Sequence, residues 1–135
     1  MNRRPIRPDR IRRIQRGFAA IENRFLHDGF LASLEQDERS MYLFLVLAGD
    51  RNGVSFYAYD KICSTLGVTL DEYVAARNAL IDKDLVAFDG TRFQVLSLPP
   101  RPIGPQRPPL RTQDDFERED PATIRQLIRD PLAKR

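Results

Sequence analysis

The residues best suited to chemistry in this sequence are arginines near its start. Residues 1–16 contain seven arginines against a single acidic residue, Asp9, which gives a net charge of +6. Guanidinium groups bind phosphate oxygens through charge-assisted, often paired hydrogen bonds, so a segment of this composition is typical of a phosphate-binding arm. The arginines expected to contact phosphate are Arg3, Arg4, Arg7, Arg10, Arg12 and Arg13. A solvated tail and a strip that docks on an acidic protein surface are the alternatives.

The rest of the charge is distributed unevenly along the 135 residues. Residues 17–98 have a net charge of −5 and residues 99–135 a net charge of +2, so the total is only +3. An acidic middle behind a basic arm predicts that the arm, and not the whole surface, attracts a polyanion.

Other side chains with reactive groups do not form a recognisable catalytic or metal site. With one cysteine, Cys63, and one histidine, His27, the chain cannot form an internal disulfide, and this count argues against a Cys/His zinc site. The acidic run at 114–120 lacks the glycine and the spacing of a calcium loop. No glycine-rich phosphate loop or HExxH motif occurs. We therefore expect a protein that is not an enzyme and has no cofactor.

The longest apolar run, residues 43–48, is far shorter than the roughly 20 residues of a membrane-spanning helix. No secretory signal is evident behind the arginine-rich start. A cytoplasmic protein is expected.

The elements that position these residues begin with a helix predicted from Arg10 to Phe25, with Asp9 as its N-cap. Its apolar residues recur at spacings of three and four and share one face: Ile11, Ile14, Phe18, Ile21 and Phe25. This face either packs on the core of the same chain or forms the seam of a homodimer.

The next segments predict helices and short strands in a definite order. The TLDE sequence from Thr69 to Glu72 matches a capping box, and Asp89-Gly90 is a strong hairpin signal. The predicted elements are a helix over 37–49, a strand over 54–57, helices over 59–66 and 70–84, and strands over 85–88 and 91–98. The aromatic residues expected in the core include Phe44, Phe56, Tyr57 and Phe88.

Composition then divides the chain into four parts. They are a basic arm over 1–16, a domain with its leading helix over 17–98, a proline-rich linker over 99–112, and an acidic segment with a short helix over 113–135. Asp120 and Pro121 mark the start of the last helix. Its apolar stripe, formed by Ile124, Leu127 and Ile128, is expected to dock on its own domain or on a protein partner.

Residues 37–98 resemble the winged helix-turn-helix family of bacterial, phage and plasmid regulators and replication initiators. The signal lies in 59–80: a small residue, Cys63, where the helices cross, and Gly67 in the turn. The flanking apolar positions are Leu66 and Val68, and the inner face of the second helix has Tyr73, Ala76 and Leu80. The resemblance implies a mostly α fold with a small β-hairpin wing, an N-terminal helix and a C-terminal helical tail.

The resemblance also implies double-stranded DNA as partner, with the second helix in the major groove and the hairpin on the backbone. The implied contacts of the domain are Lys61, Thr69, Arg77, Asn78 and Arg92. Asp71 and Glu72 depart from this pattern because carboxylates at the reading end repel phosphates.

The sequence therefore predicts a homodimeric DNA-binding protein, a transcriptional regulator or a replication-initiation factor. The alternative is a protein–protein adaptor built on a winged helix that does not read DNA.

Overall fold

The computed structural model describes residues 3–104. This part of the chain consists of four α-helices, a short 3-10 helix and a small antiparallel sheet. The elements are the 3-10 helix Pro8–Arg10, α1 Arg24–His27, α2 Gln36–Ala48, β1 Val54–Ser55, α3 Tyr59–Leu66, α4 Leu70–Asp82, β2 Val86–Phe88 and β3 Phe93–Val95. The expectation of a mostly helical domain with a small sheet is confirmed at this level.

The sheet is antiparallel, with β3 between β1 and β2. Ser55 of β1 lies opposite Phe93 of β3, and Phe88 of β2 lies opposite the same residue. Side chains at opposed positions point to one face, so the Phe88 and Phe93 rings stack with centroids 4.3 Å apart. Phe93 is buried, and this face of the sheet closes the core.

The core lies where α2 crosses α4. Leu45 of α2, Ile62 of α3 and Leu80 of α4 have no exposed surface. The other buried apolar residues are Phe25, Phe30, Leu34, Met41, Tyr42, Tyr73, Ala76, Leu85, Val86 and Phe93. Residues from every α-helix and from two strands therefore share one core.

A buried ion pair fastens the end of α4 to the start of α2. Lys83 Nζ lies 2.6 Å from Glu38 Oε1 and donates to the carbonyl of Ser33 at 2.9 Å. Both charged side chains are nearly nine-tenths buried. Glu38 Oε1 also accepts from the N–H of Glu35, so one carboxylate caps α2 and neutralises the lysine.

The predicted helix over 10–25 is wrong. Residues 11–22 have no regular secondary structure, and only Arg24–His27 is helical. The four apolar residues Ile11, Ile14, Phe18 and Ile21 are exposed, whereas Phe25 is buried and stacks on Tyr42 at 4.6 Å. A short helix needs a packed face to form, and here four arginines in 10–16 repel one another and Gly17 lowers the helix propensity.

The described chain ends in a segment that returns to α1. Arg24 Nη2 donates to the carbonyls of Pro99 and Pro100 at 2.9 and 3.0 Å. Residues 99–104 form no helix or strand, and the rest of the predicted linker lies outside the described residues. So do the predicted terminal helix and its residues Ile124, Leu127 and Ile128. Within 3–104, no helix is long and apolar enough to cross a membrane.

Candidate nucleic-acid interface

The turn between α3 and α4 has the glycine that its geometry requires. Gly67 has φ +71°, in the left-handed region that other residues avoid. The N–H groups of Gly67 and Val68 both donate to the carbonyl of Cys63, at 2.8 and 3.1 Å. These two hydrogen bonds terminate α3 at Leu66. Only residues 67–69 then separate it from the start of α4 at Leu70.

The start of α4 is fixed by the predicted capping box. Thr69 Oγ1 accepts from the N–H of Glu72 at 3.1 Å, and Glu72 Oε1 accepts from the N–H of Thr69 at 2.8 Å. Residues 69–72 are all exposed. The first turn of α4 is therefore held by two side-chain hydrogen bonds and is exposed to solvent.

The predicted inner face of α4 is confirmed. Tyr73, Ala76 and Leu80 are buried against α3 and the core. Cys63 is half-buried beside this contact, and its Sγ lies 3.8 Å from the carbonyl oxygen of Thr69. Burial raises the pKa of the Cys63 thiol, and the negative charge of Asp60 adds to the shift. These properties suit a small packing residue and not a nucleophile.

Arg77 and Asn78, predicted to contact DNA, are buried. Arg77 is 6% exposed and Asn78 8%. The Arg77 guanidinium lies 5.7 Å from the ring centroid of Tyr73 and 5.3 Å from that of Phe88. It also donates to Asn78 Oδ1 from Nε and Nη2, at 3.2 and 3.1 Å. Side chains enclosed in this way cannot reach a base edge, so their assignment to DNA contact is corrected.

The sequence contains an indication that Arg77 is buried, although arginine is usually an exposed residue. Arg77 follows Tyr73 by four residues, which places the two side chains on the same helical stripe. An arginine on such a stripe buries its aliphatic stem and stacks its planar head on aromatic rings. The spacing from Tyr73 is the feature that could have identified this position.

The surface around the start of α4 is acidic. Its exposed charged side chains on α3 and in the first turn of α4 are Asp60, Lys61, Asp71 and Glu72. Lys61 is the only cation in this group of four. Two carboxylates at a helix N-terminus stabilise the helix dipole, but they oppose a phosphate backbone.

The hairpin between β2 and β3 holds Arg92 in place. Asp89 Oδ1 accepts from the N–H groups of Thr91 and Arg92, and Asp89 Oδ2 lies 3.0 Å from Arg92 Nε. The two main-chain donors, with a smaller contribution from the guanidinium, lower the pKa of Asp89 to about 2. Arg92 remains more than half exposed, although its charge is partly balanced by its partner.

The arginine arm is exposed along its described length. All seven arginines of residues 3–16 are exposed, including the six predicted to contact phosphate. Arg7 forms a surface ion pair with Asp9 at 2.9 Å. At the base of the arm, residues 18–22 border a cavity of about 620 Å³ whose other walls are α2, the turn over 49–53 and the end of β3.

Two expectations about aromatic residues differ in outcome. Phe44 and Phe88 pack against the core as expected. Phe56 and Tyr57 do not, because they are 67% and 44% exposed. β1 ends at Ser55, so the two residues that follow lie beyond the sheet and the core does not cover them.

Comparison of the sequence with models of known protein families and with curated proteins, and of the structure with solved structures, found no match.

Proposed function

We propose that this protein is a winged helix-turn-helix DNA-binding protein that acts as a transcriptional regulator or replication-initiation factor. The order of α2, β1, α3, α4, β2 and β3 supports this proposal. The short turn at Gly67 and the capped, exposed start of α4 also support it. In such a fold, α4 lies in the major groove and the hairpin touches the backbone.

The observation that carries the proposal is the exposed arginine arm. It carries a net charge of +6, whereas residues 17–98 carry −5. With Arg77 and Asn78 buried, the predicted contacts that the domain still exposes are Lys61, Thr69 and Arg92. The arm therefore supplies most of the affinity through phosphate contacts, and α4 contributes position more than base reading.

A salt titration of binding to random-sequence duplex DNA tests this assignment. If about five arm arginines contact phosphates, log K falls against log salt with a slope of roughly −4.5. Replacing Arg3, Arg4, Arg7, Arg10, Arg12 and Arg13 by glutamine should abolish most of that slope. A variant with lysine at the same six positions keeps the positive charge and should therefore keep the salt slope.

A second control removes positive charge outside the arm. Arg51→Gln with Arg101→Gln changes two exposed arginines outside the arm and should leave the slope nearly unchanged. If the wild-type protein does not bind duplex DNA even at low salt, the DNA proposal fails.

The alternative function is a protein–protein adaptor, and the acidic start of α4 favours it. Asp71→Asn with Glu72→Gln removes both charges, while a glutamine at N3 still completes the capping box. If α4 lies in the groove, DNA affinity at low salt should rise about fivefold, because two carboxylates no longer repel nearby phosphates. A matched control, Glu35→Gln with Asp37→Asn, removes two charges at the start of α2. Equal affinities for all three proteins would place α4 away from DNA and favour the adaptor.

A further inference from the structure

An exposed apolar surface covers the second half of α2 and the chain after β1. Leu43 and Leu47 are 50% and 65% exposed, Phe56 is 67% exposed and Tyr57 is 44% exposed. We call these four residues the apolar ledge. Leu43 and Leu47 are neighbours one turn apart on α2. The Phe44 ring packs edge-on against Tyr57, with centroids 5.2 Å apart, which joins the two halves of the ledge. Exposed apolar side chains grouped on neighbouring elements in this way are typical of an interaction site.

A cavity of about 430 Å³ opens beside the ledge. It is lined by Ala48, Val54 and the two ledge aromatics, and Asp50 is its charged group. The main-chain N–H groups of Val54 and Asn52 donate to the Asp50 carboxylate and lower its pKa, and the positive charge of Arg51 lowers it further. The cavity therefore suits an apolar side chain that is accompanied by a positive charge.

The arm has that combination of side chains. Ile6 is 97% exposed, Ile11 56%, Ile14 55% and Phe18 74%, and arginines alternate with them. Phosphate binding uses the arginines and leaves these apolar side chains in water. The ledge and the arm are both exposed in one copy of the chain, so neither covers the other there.

We infer that the arm of one copy docks on the apolar ledge of a second copy, so that two copies exchange arms. The charges are complementary, because the arm is strongly basic and residues 17–98 are acidic. Each copy has one arm and one ledge, so a two-fold symmetric pair satisfies both contacts and closes. This association does not depend on DNA binding and goes beyond the proposed function.

The test is the oligomeric state of the full chain without DNA, measured by sedimentation equilibrium over a concentration series. The wild-type protein should form a dimer. Leu47→Glu in the ledge and the pair Ile11→Glu with Ile14→Glu in the arm should each weaken the dimer by about tenfold or more, because a charge replaces a buried apolar contact. Leu26→Glu, a change at a 62%-exposed leucine of α1, should have no effect.

Mixing the two defective proteins separates arm exchange from other dimers. The Leu47→Glu protein retains an intact arm, and the arm variant retains an intact ledge. Their mixture restores one of the two contacts, so it should dimerise more tightly than either variant alone and less tightly than the wild type. A dimer formed by ledge against ledge would show no such recovery.

Several results would overturn the inference. They are a wild-type protein that stays monomeric up to sub-millimolar concentration, a dimer that the arm variant does not weaken, and a mixture that gains nothing. Circular dichroism and urea unfolding of each variant establish that it is folded, and Phe56→Glu is a second ledge variant that must behave like Leu47→Glu.

Discussion

Arg77 is a buried guanidinium held by two aromatic rings and one side-chain amide. Its distances to the ring centroids of Tyr73 and Phe88 are both under 6 Å, which is the range of cation–π attraction. Its donors reach the Asn78 amide oxygen within 3.2 Å. A side chain with this environment contributes to the stability of the contact between α4 and the sheet.

Replacing Arg77 by alanine should lower the free energy of unfolding by about 2–3 kcal/mol, because packing and hydrogen bonds are lost together. The salt slope of DNA binding should not change. Lys61→Ala is the matched control, since Lys61 is exposed. The Lys61→Ala protein should have a free energy of unfolding within about 0.5 kcal/mol of the wild type. Its salt slope of DNA binding should fall by up to about 0.9 if Lys61 contacts a phosphate. Urea unfolding and salt titration measure both quantities, and a stable Arg77→Ala protein with a reduced slope would contradict the burial argument.

At the scale of the elements, the segment from α3 to α4 could be predicted closely. Its signals are local: Gly67 ends one helix, and Thr69 and Glu72 start the next through their own side chains. The prediction of a helix over 10–25 was wrong because the periodicity of apolar residues indicates only which face of a helix would be apolar. Whether that face is buried depends on the rest of the chain, and in this structure only Phe25 of its five apolar residues is buried.

The sequence also predicted the hairpin but not the exposure of the residues after β1. The Asp89-Gly90 turn is encoded in two residues, and Asp89 accepts the main-chain bonds that close it. Phe56 and Tyr57 were predicted to lie in the core because they are aromatic. Their exposure follows from the end of β1 at Ser55, a boundary that aromatic composition does not reveal.

Two glycines in open space permit a clean test of the turn. A Cβ added at Gly67 or at Gly17 would meet no atom within 4 Å, but only Gly67 has a positive φ. Gly67→Ala should therefore cost about 1 kcal/mol of unfolding free energy from backbone strain alone. Gly17→Ala should leave stability unchanged. Urea unfolding compares the two, and equal stabilities would show that the turn relaxes without strain.

At the scale of the whole molecule, charge and packing are separated along the chain. The core residues of the described chain lie between Phe25 and Phe93, while residues 3–16 are all exposed. The domain can thus fold without the arm, and the arm can bind a partner without unfolding the domain. This separation predicts where a protease cuts first.

Limited trypsin digestion in dilute solution should cleave the arm before any other site within 3–104. The bonds after Arg4 and Arg7 precede proline and resist trypsin, so the expected early cuts follow Arg3, Arg10, Arg12, Arg13 and Arg16. Arg39 should resist, since it lies in α2 and its Nε donates to the carbonyl of Leu31.

The digestion also distinguishes the roles of the arm. Duplex DNA should slow cleavage in the arm if its arginines contact phosphates, and a high protein concentration should slow it if a second copy covers Ile11 and Ile14. Mass spectrometry of timed samples identifies each cut. Early cleavage after Arg39 would contradict the separation, because it would require α2 to open before the arm is cut.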